Sequence, residues 1–166
     1  MNNSENISKL TTLMIEYYGG DPKRIQHFLK VHAFAKLIGE KEIKDAHVLY
    51  ILESAAVLHD IGIKPAEEKF GRSDGKLQEQ EGPAPARKML EGLNYDGGDI
   101  ERITYLIAHH HTYENITEID YQVLVEADFL VNLYEDGCSK EAVLTAYNGV
   151  FKTKTGKGIC KTMFGI

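Results

Sequence analysis

The sequence has few cysteines, no excess of basic residues and no long apolar run. Its two cysteines, Cys138 and Cys160, lie far apart without CxxC spacing, which argues against a thiolate zinc site and a disulfide framework. The net charge of −6 and the pI near 5.6 argue against binding long nucleic acid, because contact with a phosphate backbone needs a basic surface. No segment approaches the roughly 20 continuous apolar residues that a membrane span requires.

The start of the chain also lacks a targeting pattern. The segment MNNSENISKL has no basic region followed by an apolar run, so it does not resemble a secretory signal. We therefore expect a cytoplasmic location and no membrane partner. With 166 residues and 43% apolar content, the chain is expected to form one domain over residues 1–166 with a core of its own.

Strand-like alternation is missing as well, whereas apolar residues recur at helical spacing through most of the chain. We therefore predict an all-α, single-domain bundle of about six to seven helices. The predicted helices span residues 4–18, 22–40, 45–60, 83–93, 99–111, 120–136 and 139–151. Residues 64–80 are polar with two glycines and are expected to form a surface loop, and residues 152–166 an irregular tail.

Several residues with metal-binding side chains are predicted to face the core. His27, His110 and Asp128 each fall on the apolar stripe of a predicted helix. Asp60 follows His59 at the end of the apolar run SAAVLHDIG, where an uncompensated carboxylate is costly to bury. A bound cation would neutralise the two carboxylates together, so the pattern indicates a metal site.

Each of these residues also has an ordinary structural explanation. A single inward histidine is more often a hydrogen-bonded core residue than a ligand, and Asp128 alone could pair with Arg102. The ordered set of four makes the metal interpretation the stronger one. Nearby residues that are expected to lie off the metal-facing side are His32, His47, His109, His111 and Glu126.

The segments HFLKVHAFA, LHDIG, IAHHHT and EADFLVN, each on a separate predicted helix, resemble the HD-domain superfamily of metal-dependent phosphohydrolases. The resemblance covers about residues 21–136, the core motif region. It implies an all-helical fold in which one metal ion is shared by His27, His59, Asp60 and Asp128. Four matches in the right order are more specific than the His-Asp pair alone.

A second metal ion is left open by the resemblance. Some branches of the superfamily add histidines that build a second site, and His110 is the candidate here. The segment EGPAPARKML resembles one that begins with histidine in the diadenosine tetraphosphate hydrolase branch, where this chain has Glu81. A carboxylate can replace imidazole on iron, manganese or magnesium. We therefore expect one ion and consider a second possible.

The predicted ligands also indicate the chemistry. Two imidazoles and two carboxylates balance a divalent ion, and mixed nitrogen and oxygen donors suit manganese, iron, cobalt, nickel or zinc. Such an ion lowers the pKa of a bound water towards roughly 7 and polarises a phosphoryl group. The resemblance thus implies attack by metal-bound hydroxide on a phosphate ester or anhydride of a small molecule, for which we expect a nucleotide.

Basic residues near these ligands are candidates for binding the substrate phosphate. Arg24 lies one turn before His27, and Lys64 follows the His-Asp pair; with Asp60 they form the predicted catalytic set. The tail segment KTGKG could close over an anion. The loop 64–80 is expected to cover the site and to supply a general acid. The remaining candidates are Lys154 and Lys157 for phosphate and Glu67 or Glu68 for the acid.

Two other functions remain open. A minority of related helical proteins use a two-iron version of this site to activate oxygen, and a regulatory module could keep the site only to bind a nucleotide. An oligomer is also possible, since the first helix has an apolar stripe that could dock on the domain or on a second copy. We expect it to dock on the domain. The stripe consists of Leu10, Leu13, Met14 and Tyr17.

Overall fold

Ten helices and no strand are present in residues 3–166, the part of the chain that the computed structural model describes. The predicted all-α class is confirmed. In chain order the helices are α1 (Asn3–Tyr17), α2 (Pro22–Glu42), α3 (Ala46–Leu58), α4 (Ile63–Phe70), α5 (Gly75–Glu81), α6 (Pro83–Gly92), α7 (Gly97–Ile107), α8 (Ile119–Glu135), α9 (Lys140–Gly149) and α10 (Lys154–Phe164).

Capping residues fix where the two helices nearest the His-Asp pair begin. The Asp21 carboxylate accepts from the backbone N–H of Arg24 at 3.1 Å, and Pro22 occupies the first position of α2. The Asp45 carboxylate accepts from the N–H of His47 at 2.8 Å at the start of α3. These caps stabilise the first turns of α2 and α3, and the apolar stripe of each helix determines which side chains face the core.

The core surrounds α3, which packs against α2, α7 and α8, and α2 also packs against α8. α1 packs on α3 and α6 with Leu10 and Met14 fully buried, so its stripe docks on the domain as expected. The oligomeric state and the extent of the domain stay predictions. Fully buried core side chains include Phe28, Ile38, Leu52, Leu58, Ile61, Leu90, Ile103, Leu106, Ile107 and Phe151.

The expected loop at residues 64–80 is wrong, because α4 and α5 occupy most of it. Each helix is too short for apolar periodicity to reveal it, since α4 has 8 residues and α5 has 7. Each buries one apolar side chain, Ala66 in α4 and Leu77 in α5. The Asp74 carboxylate caps α5 by accepting from the N–H of Leu77 at 3.4 Å.

The expected irregular tail is also wrong, because residues 154–164 form α10. The Thr153 hydroxyl caps this helix by accepting from the N–H of Gly156 at 2.9 Å. The fully buried Glu126 carboxylate holds the preceding segment by accepting from the N–H groups of Lys152 at 2.6 Å and Thr153 at 2.9 Å. A tertiary contact therefore fixes the start of α10, and local composition does not reveal it.

One helical stretch in residues 3–166, Ala46–Phe70, is long and apolar enough to cross a membrane by length and composition. In the protein, 78% of its apolar window is buried. It contains α3 and the His-Asp pair, so its apolar character serves the core. The cytoplasmic location stays a prediction.

Candidate metal centre

Three segments of the fold bring four polar side chains to one point. The His27 Nε2 atom from α2 lies 3.1 Å from His59 Nε2, 3.2 Å from Asp60 Oδ2 and 3.3 Å from Asp128 Oδ1 on α8. The His59 Nε2 atom lies 3.5 Å from each of these two carboxylate oxygens. All four residues are buried. The structure thus gathers the four ligands that the sequence predicts.

The turn after α3 presents His59 and Asp60 on the same side. Two hydrogen bonds that span three residues, from Ile61 N–H to Leu58 C=O and from Ile63 N–H to Asp60 C=O, replace the α-helical pattern here. The Tyr18 hydroxyl donates to the Asp60 carbonyl at 3.1 Å. The Tyr18 side chain, in the connection between α1 and α2, therefore supports the turn.

Gly62 allows other backbone segments to approach this turn. A Cβ atom at residue 62 would lie 2.4 Å from the carbonyl oxygen of Gln78 and 2.6 Å from the amide nitrogen of Gly82. Only glycine fits such a contact without moving the backbone. The close approach brings the Gln78 side chain to the site.

Hydrogen bonds on the far side of each imidazole fix which ring nitrogen faces the cluster. The His59 Nδ1 atom lies 2.8 Å from the Ala56 carbonyl oxygen, and the His27 Nδ1 atom lies 2.9 Å from Glu135 Oε2. Both partners accept only, so each Nδ1 carries the hydrogen and each neutral ring directs its Nε2 lone pair into the cluster. Metal-ligating histidines are held in this way.

The donor set fits a metal ion. Ligand atoms about 2.1 Å from one ion lie about 3.0–3.4 Å from one another in common geometries, and the measured separations of 3.1–3.5 Å are close to this range. Two imidazole lone pairs at 3.1 Å would repel each other unless a proton or a cation lies between them. The chemistry of the site therefore requires positive charge at this point.

The other oxygen of Asp60 belongs to a second cluster. Asp60 Oδ1 lies 2.9 Å from His110 Nε2 and 3.7 Å from His111 Nε2. The His110 ring is fully buried, and its Nδ1 lies 2.8 Å from the Ile107 carbonyl oxygen. Asp60 thus lies between two groups of possible ligands, His27 and His59 on one side and His110 and His111 on the other.

His111 lies at the site, although the helical pattern predicts it off the metal-facing side. The pattern predicts a helix through residue 111, but α7 ends at Ile107 and residues 108–111 form turns. In a turn, adjacent side chains no longer diverge as they do on a helix, so His110 and His111 both face Asp60. His111 Nε2 also lies 2.8 Å from Gln78 Oε1. No glycine or proline follows Ile107 closely, so the sequence does not signal that α7 ends there.

The carboxylates strongly favour protonated imidazoles when no metal is bound. Burial alone lowers the pKa of His27, but hydrogen bonds to Asp128 and Asp60 outweigh it and raise the pKa to about 11. Burial likewise lowers the pKa of His59. The negative charge of Asp60 and hydrogen bonds to Asp128 and Asp60 outweigh burial and raise the pKa of His59 to about 9. Although burial acts in the opposite direction, the imidazoles hold the pKa values of Asp60 and Asp128 well below 3.8.

A pH dependence follows for the metal-free protein. The pKa values of His27 and His59 lie above the ordinary 6.5, so their contribution to stability is complete below pH 6.5 and is lost as the pH rises through about 9 and 11. We expect urea denaturation of chelator-treated protein to give a lower free energy of unfolding at pH 9 than at pH 6.5. His27→Gln should flatten this slope, and an unchanged slope in the variant would contradict the assignment.

Glu81 does not join the site, so its predicted role as a second-metal ligand lacks geometric support. Its carboxylate accepts from Lys69 Nζ, and from Gln80 Nε2 at 3.1 Å. The hydrogen bond from Lys69 lowers the pKa of Glu81. The ion pair joins α4 to α5, two helices that the sequence reading treated as a loop.

The predicted phosphate ligands Arg24 and Lys64 are engaged elsewhere. Arg24 lines a cavity of about 210 Å³ that also contains His27 and Asp60, but its guanidinium binds Glu67 at 2.6 and 3.0 Å. Lys64 does not line this cavity, and its Nζ donates to the Tyr17 carbonyl at 3.0 Å. The exposed Lys23, which is not among the predicted phosphate ligands, lines the cavity instead.

Lys154 and Lys157 lie far from the cluster, so their predicted closure over the site is wrong. The N–H of the neighbouring Thr155 donates to Glu42 at the end of α2. Glu42 is 15 residues beyond His27 on the same helix, a distance of about 22 Å at 1.5 Å per residue. Lys157 Nζ instead lies over the Tyr147 ring, 5.6 Å from its centre.

Neither proposed general acid lines the 210 Å³ cavity. The hydrogen bonds from Arg24 lower the pKa of Glu67, which makes it a poor proton donor near neutral pH. Glu68 is exposed on α4. No general acid is assigned by this arrangement.

The residues that were expected to lie off the metal-facing side, apart from His111, have partners elsewhere. His32 and His47 pair with Glu53 and Asp99, at 2.9 and 2.8 Å. His109 Nδ1 lies 2.7 Å from the Tyr105 carbonyl oxygen, and the Glu126 carboxylate accepts hydrogen bonds from the segment before α10.

The alternative structural partner of Asp128 is engaged elsewhere. Arg102 binds Asp120 at 2.6 and 2.9 Å. Asp128 accepts from Asn132 Nδ2 at 2.9 Å, which leaves the metal interpretation of Asp128 intact.

Comparison with known proteins agrees with this geometry. A family model described as HD domain matches residues 24–147, which is more than half of the chain. No curated protein gives a significant match to the chain. The matched range contains all the clustered histidines and aspartates, whereas α1 and its supporting Tyr18 precede it. The chain therefore belongs to the HD domain family, most of whose members are metal-dependent hydrolases that bind divalent ions, and its His/Asp cluster could hold such an ion.

Proposed function

We propose that the protein hydrolyses a phosphate ester or anhydride of a small molecule of the nucleotide type. The observation that supports this most strongly is the pair of Nε2 atoms of His27 and His59, which lie 3.1 Å apart and face the same point. Two carboxylates face the same point. Buried donors held in this way are more readily explained by a divalent cation than by packing.

The ligands that would hold the first ion are His27, His59, Asp60 and Asp128, and a second ion would share Asp60 with His110 and His111. When bound, the cation would act as a Lewis acid towards phosphate and would activate water near neutral pH. Nitrogen and oxygen donors suit manganese, iron, cobalt, nickel or zinc. Metal analysis of the purified protein would identify the bound ion and count one or two per chain.

The protein's own side chains would position the substrate. Lys23 and Arg24 lie on the wall of the 210 Å³ cavity that also contains His27 and Asp60. A phosphate oxygen could replace Glu67 there as the partner of Arg24.

Other side chains would orient the metal ligands. Asn132 donates to Asp128, and Glu135 accepts from His27 while it binds Lys30 at 2.6 Å. Burial of the four ligands keeps bulk water away from them and strengthens their attraction for a cation.

The test combines metal analysis with a substrate panel. Purified protein should contain a transition metal, and it should release phosphate from some nucleotides or sugar phosphates when supplied with manganese, cobalt, nickel or iron. His59→Ala should lose this activity, whereas His109→Ala, which alters a histidine outside the cluster, should keep it. A metal-free protein whose phosphatase activity is unchanged by His59→Ala would refute the proposal.

The same experiment separates the two other functions. An oxygen-dependent spectral change in iron-loaded protein without phosphate release would indicate the two-iron oxygenase. Nucleotide binding without turnover in any metal would indicate the regulatory module.

A further inference from the structure

A second cavity adjoins the metal centre and is not used by the proposed chemistry. Its volume is about 370 Å³, and it shares two wall residues, His111 and Asn132, with the 210 Å³ cavity. His111 lies next to Asp60, and Asn132 donates to Asp128. Because the two cavities share these walls, a molecule whose phosphate binds at the cluster can extend into the 370 Å³ cavity.

The wall of the second cavity comes from one face of α8 and the loop that precedes this helix. Phe129, Asn132 and Leu133 lie on one side of α8, and Asp136, the residue that caps the C-terminal end of α8, follows three residues later on the same side. Asp128 begins the neighbouring stripe, so the metal ligand and the cavity wall share the same helix. Their relative position is thus set by helix geometry.

Two aromatic rings form the apolar part of this wall. The rings of Tyr113 and Phe129 meet edge to face, with centres 5.0 Å apart and planes at 71°. Tyr113 remains 45% exposed although it is a large aromatic residue, so the cavity side of the pair is available for contact. The Tyr113 hydroxyl lies 3.3 Å from His111 Nδ1. The aromatic pair is therefore tied directly to the second cluster.

The charge of the second cavity restricts what it can hold. Asp136 is the one acidic residue on its wall, and the wall has no lysine or arginine. Additional phosphate groups would meet the Asp136 carboxylate there, and the one basic side chain on the wall, His111, already faces Asp60 and Gln78. A neutral ring with hydrogen-bond donors on its edge fits both the aromatic rings and Asp136.

We infer that the substrate is a phosphate monoester of a ring-bearing alcohol, and that the ring binds in this cavity against Tyr113 and Phe129. The inference rests on the proposed function. In the reaction, water supplies the oxygen that bonds to phosphorus, the bond from phosphorus to the alcohol oxygen breaks, and the alcohol leaves with a proton from water. The products are inorganic phosphate and the ring-bearing alcohol. A nucleoside monophosphate has this chemistry, whereas a nucleoside triphosphate carries charge that the second cavity does not match.

The test compares adenosine 5′-monophosphate with ribose 5-phosphate, which has the same phosphate and sugar without the base. Wild-type protein loaded with manganese should show a KM for the nucleotide about 5- to 100-fold lower, the range expected from stacking of one base. Tyr113→Ala and Phe129→Ala should each remove most of this difference by raising the KM for the nucleotide. Tyr113→Phe, which keeps the ring, should retain it.

A matched control is Tyr134→Ala, since Tyr134 is a 69% exposed aromatic residue on the same helix outside both cavities. It should leave both KM values unchanged. Equal KM values for the two esters in wild-type protein, or a difference that survives both Tyr113→Ala and Phe129→Ala, would overturn the inference. Tyr113 is half exposed, so Tyr113→Ala should leave the protein folded, and a lost preference for the nucleotide would then report the missing ring.

Calorimetric titration with adenosine 5′-monophosphate separates failure of the subsite from failure of the proposed function. Binding that Tyr113→Ala weakens, in a protein that releases phosphate from no member of the substrate panel, would support the aromatic subsite and refute the hydrolase. Hydrolysis of ribose 5-phosphate with no preference for the nucleotide would support the hydrolase and refute the subsite. Absence of both binding and hydrolysis would refute both.

Discussion

Asp60→Asn is expected to reduce metal affinity by at least about a hundredfold and to reduce kcat/KM by at least as much. Asp60 Oδ2 faces His27 and His59, and Oδ1 faces His110, so one carboxylate serves both clusters. Residues that only orient a ligand already contribute about 10- to 100-fold to metal affinity, and loss of a ligand should exceed this. Asparagine has nearly the same shape, which separates the loss of charge from a packing defect.

The measurement is metal content by atomic emission together with kcat/KM on whichever substrate the panel identifies. Asp96→Asn is the matched control, because Asp96 is exposed at the start of α7 and makes no side-chain capping bond. It should keep the wild-type values. Full metal occupancy in a folded Asp60→Asn protein would contradict the assignment, because it would show that metal binding does not need the charge of the Asp60 carboxylate.

Glu126→Leu is expected to lower the free energy of unfolding by about 2–4 kcal/mol. The buried carboxylate accepts from Thr153 Oγ1 at 2.5 Å and Gln122 Nε2 at 2.7 Å, in addition to the N–H groups of Lys152 and Thr153. Gln122 Nε2 would keep its bond to the Val150 carbonyl, but leucine would leave the N–H groups of Lys152 and Thr153 and the Thr153 hydroxyl without this acceptor, at about 1–3 kcal/mol for each one that stays buried. The start of α10 should then detach from α8, which urea denaturation and the helical circular dichroism signal would report.

Two glycines of α10 provide a matched check of the same contact. A Cβ atom at Gly156 would lie 1.9 Å from Glu126 Oε2, whereas one at Gly158 would have no neighbour within 4 Å. Gly156→Ala should therefore destabilise the protein, and Gly158→Ala should stabilise it by about 0.5–1 kcal/mol because alanine favours a helix. Equal effects from the two substitutions, or a Glu126→Leu change within about 0.5 kcal/mol of zero, would contradict this account of the tail.

The site could be predicted where its residues lie within long regular helices. His27 on α2 and Asp128 on α8 fall on apolar stripes of helices with 21 and 17 residues, so the helical period alone indicates that they point inward. The His-Asp pair follows the apolar helix α3, and the fold class follows from the same periodicity. These residues also carry the family resemblance, which the family model supports.

The predictions failed where tertiary contacts decide the position of a side chain. Lys69 was not considered as a partner of Glu81, because the helices that bring them together are too short to be recognised from their sequence. Lys64 binds the backbone of α1, and Lys154 lies at the far end of α2. A long charged side chain has no helical period of its own, so sequence proximity to a ligand does not place its charge at the site.

The second cavity could not be predicted from sequence for a related reason. Tyr113 lies in an irregular segment between α7 and α8, and its contact with Phe129 depends on how that segment folds back. The face of α8 with Phe129 and Asp136 is visible in the sequence, but the structure is needed to show that it borders His111. Substrate preference therefore depends on a part of the chain that periodicity does not describe.

The central claim, that His27, His59, Asp60 and Asp128 form a metal centre, is tested most directly by anomalous diffraction from crystals grown with Mn²⁺. We predict a strong anomalous peak within bonding distance of His27 Nε2, His59 Nε2 and carboxylate oxygens of Asp60 and Asp128. A second peak between Asp60 and His110 would show two ions. Full-occupancy Mn²⁺ elsewhere, with no peak among these four residues, would contradict the account.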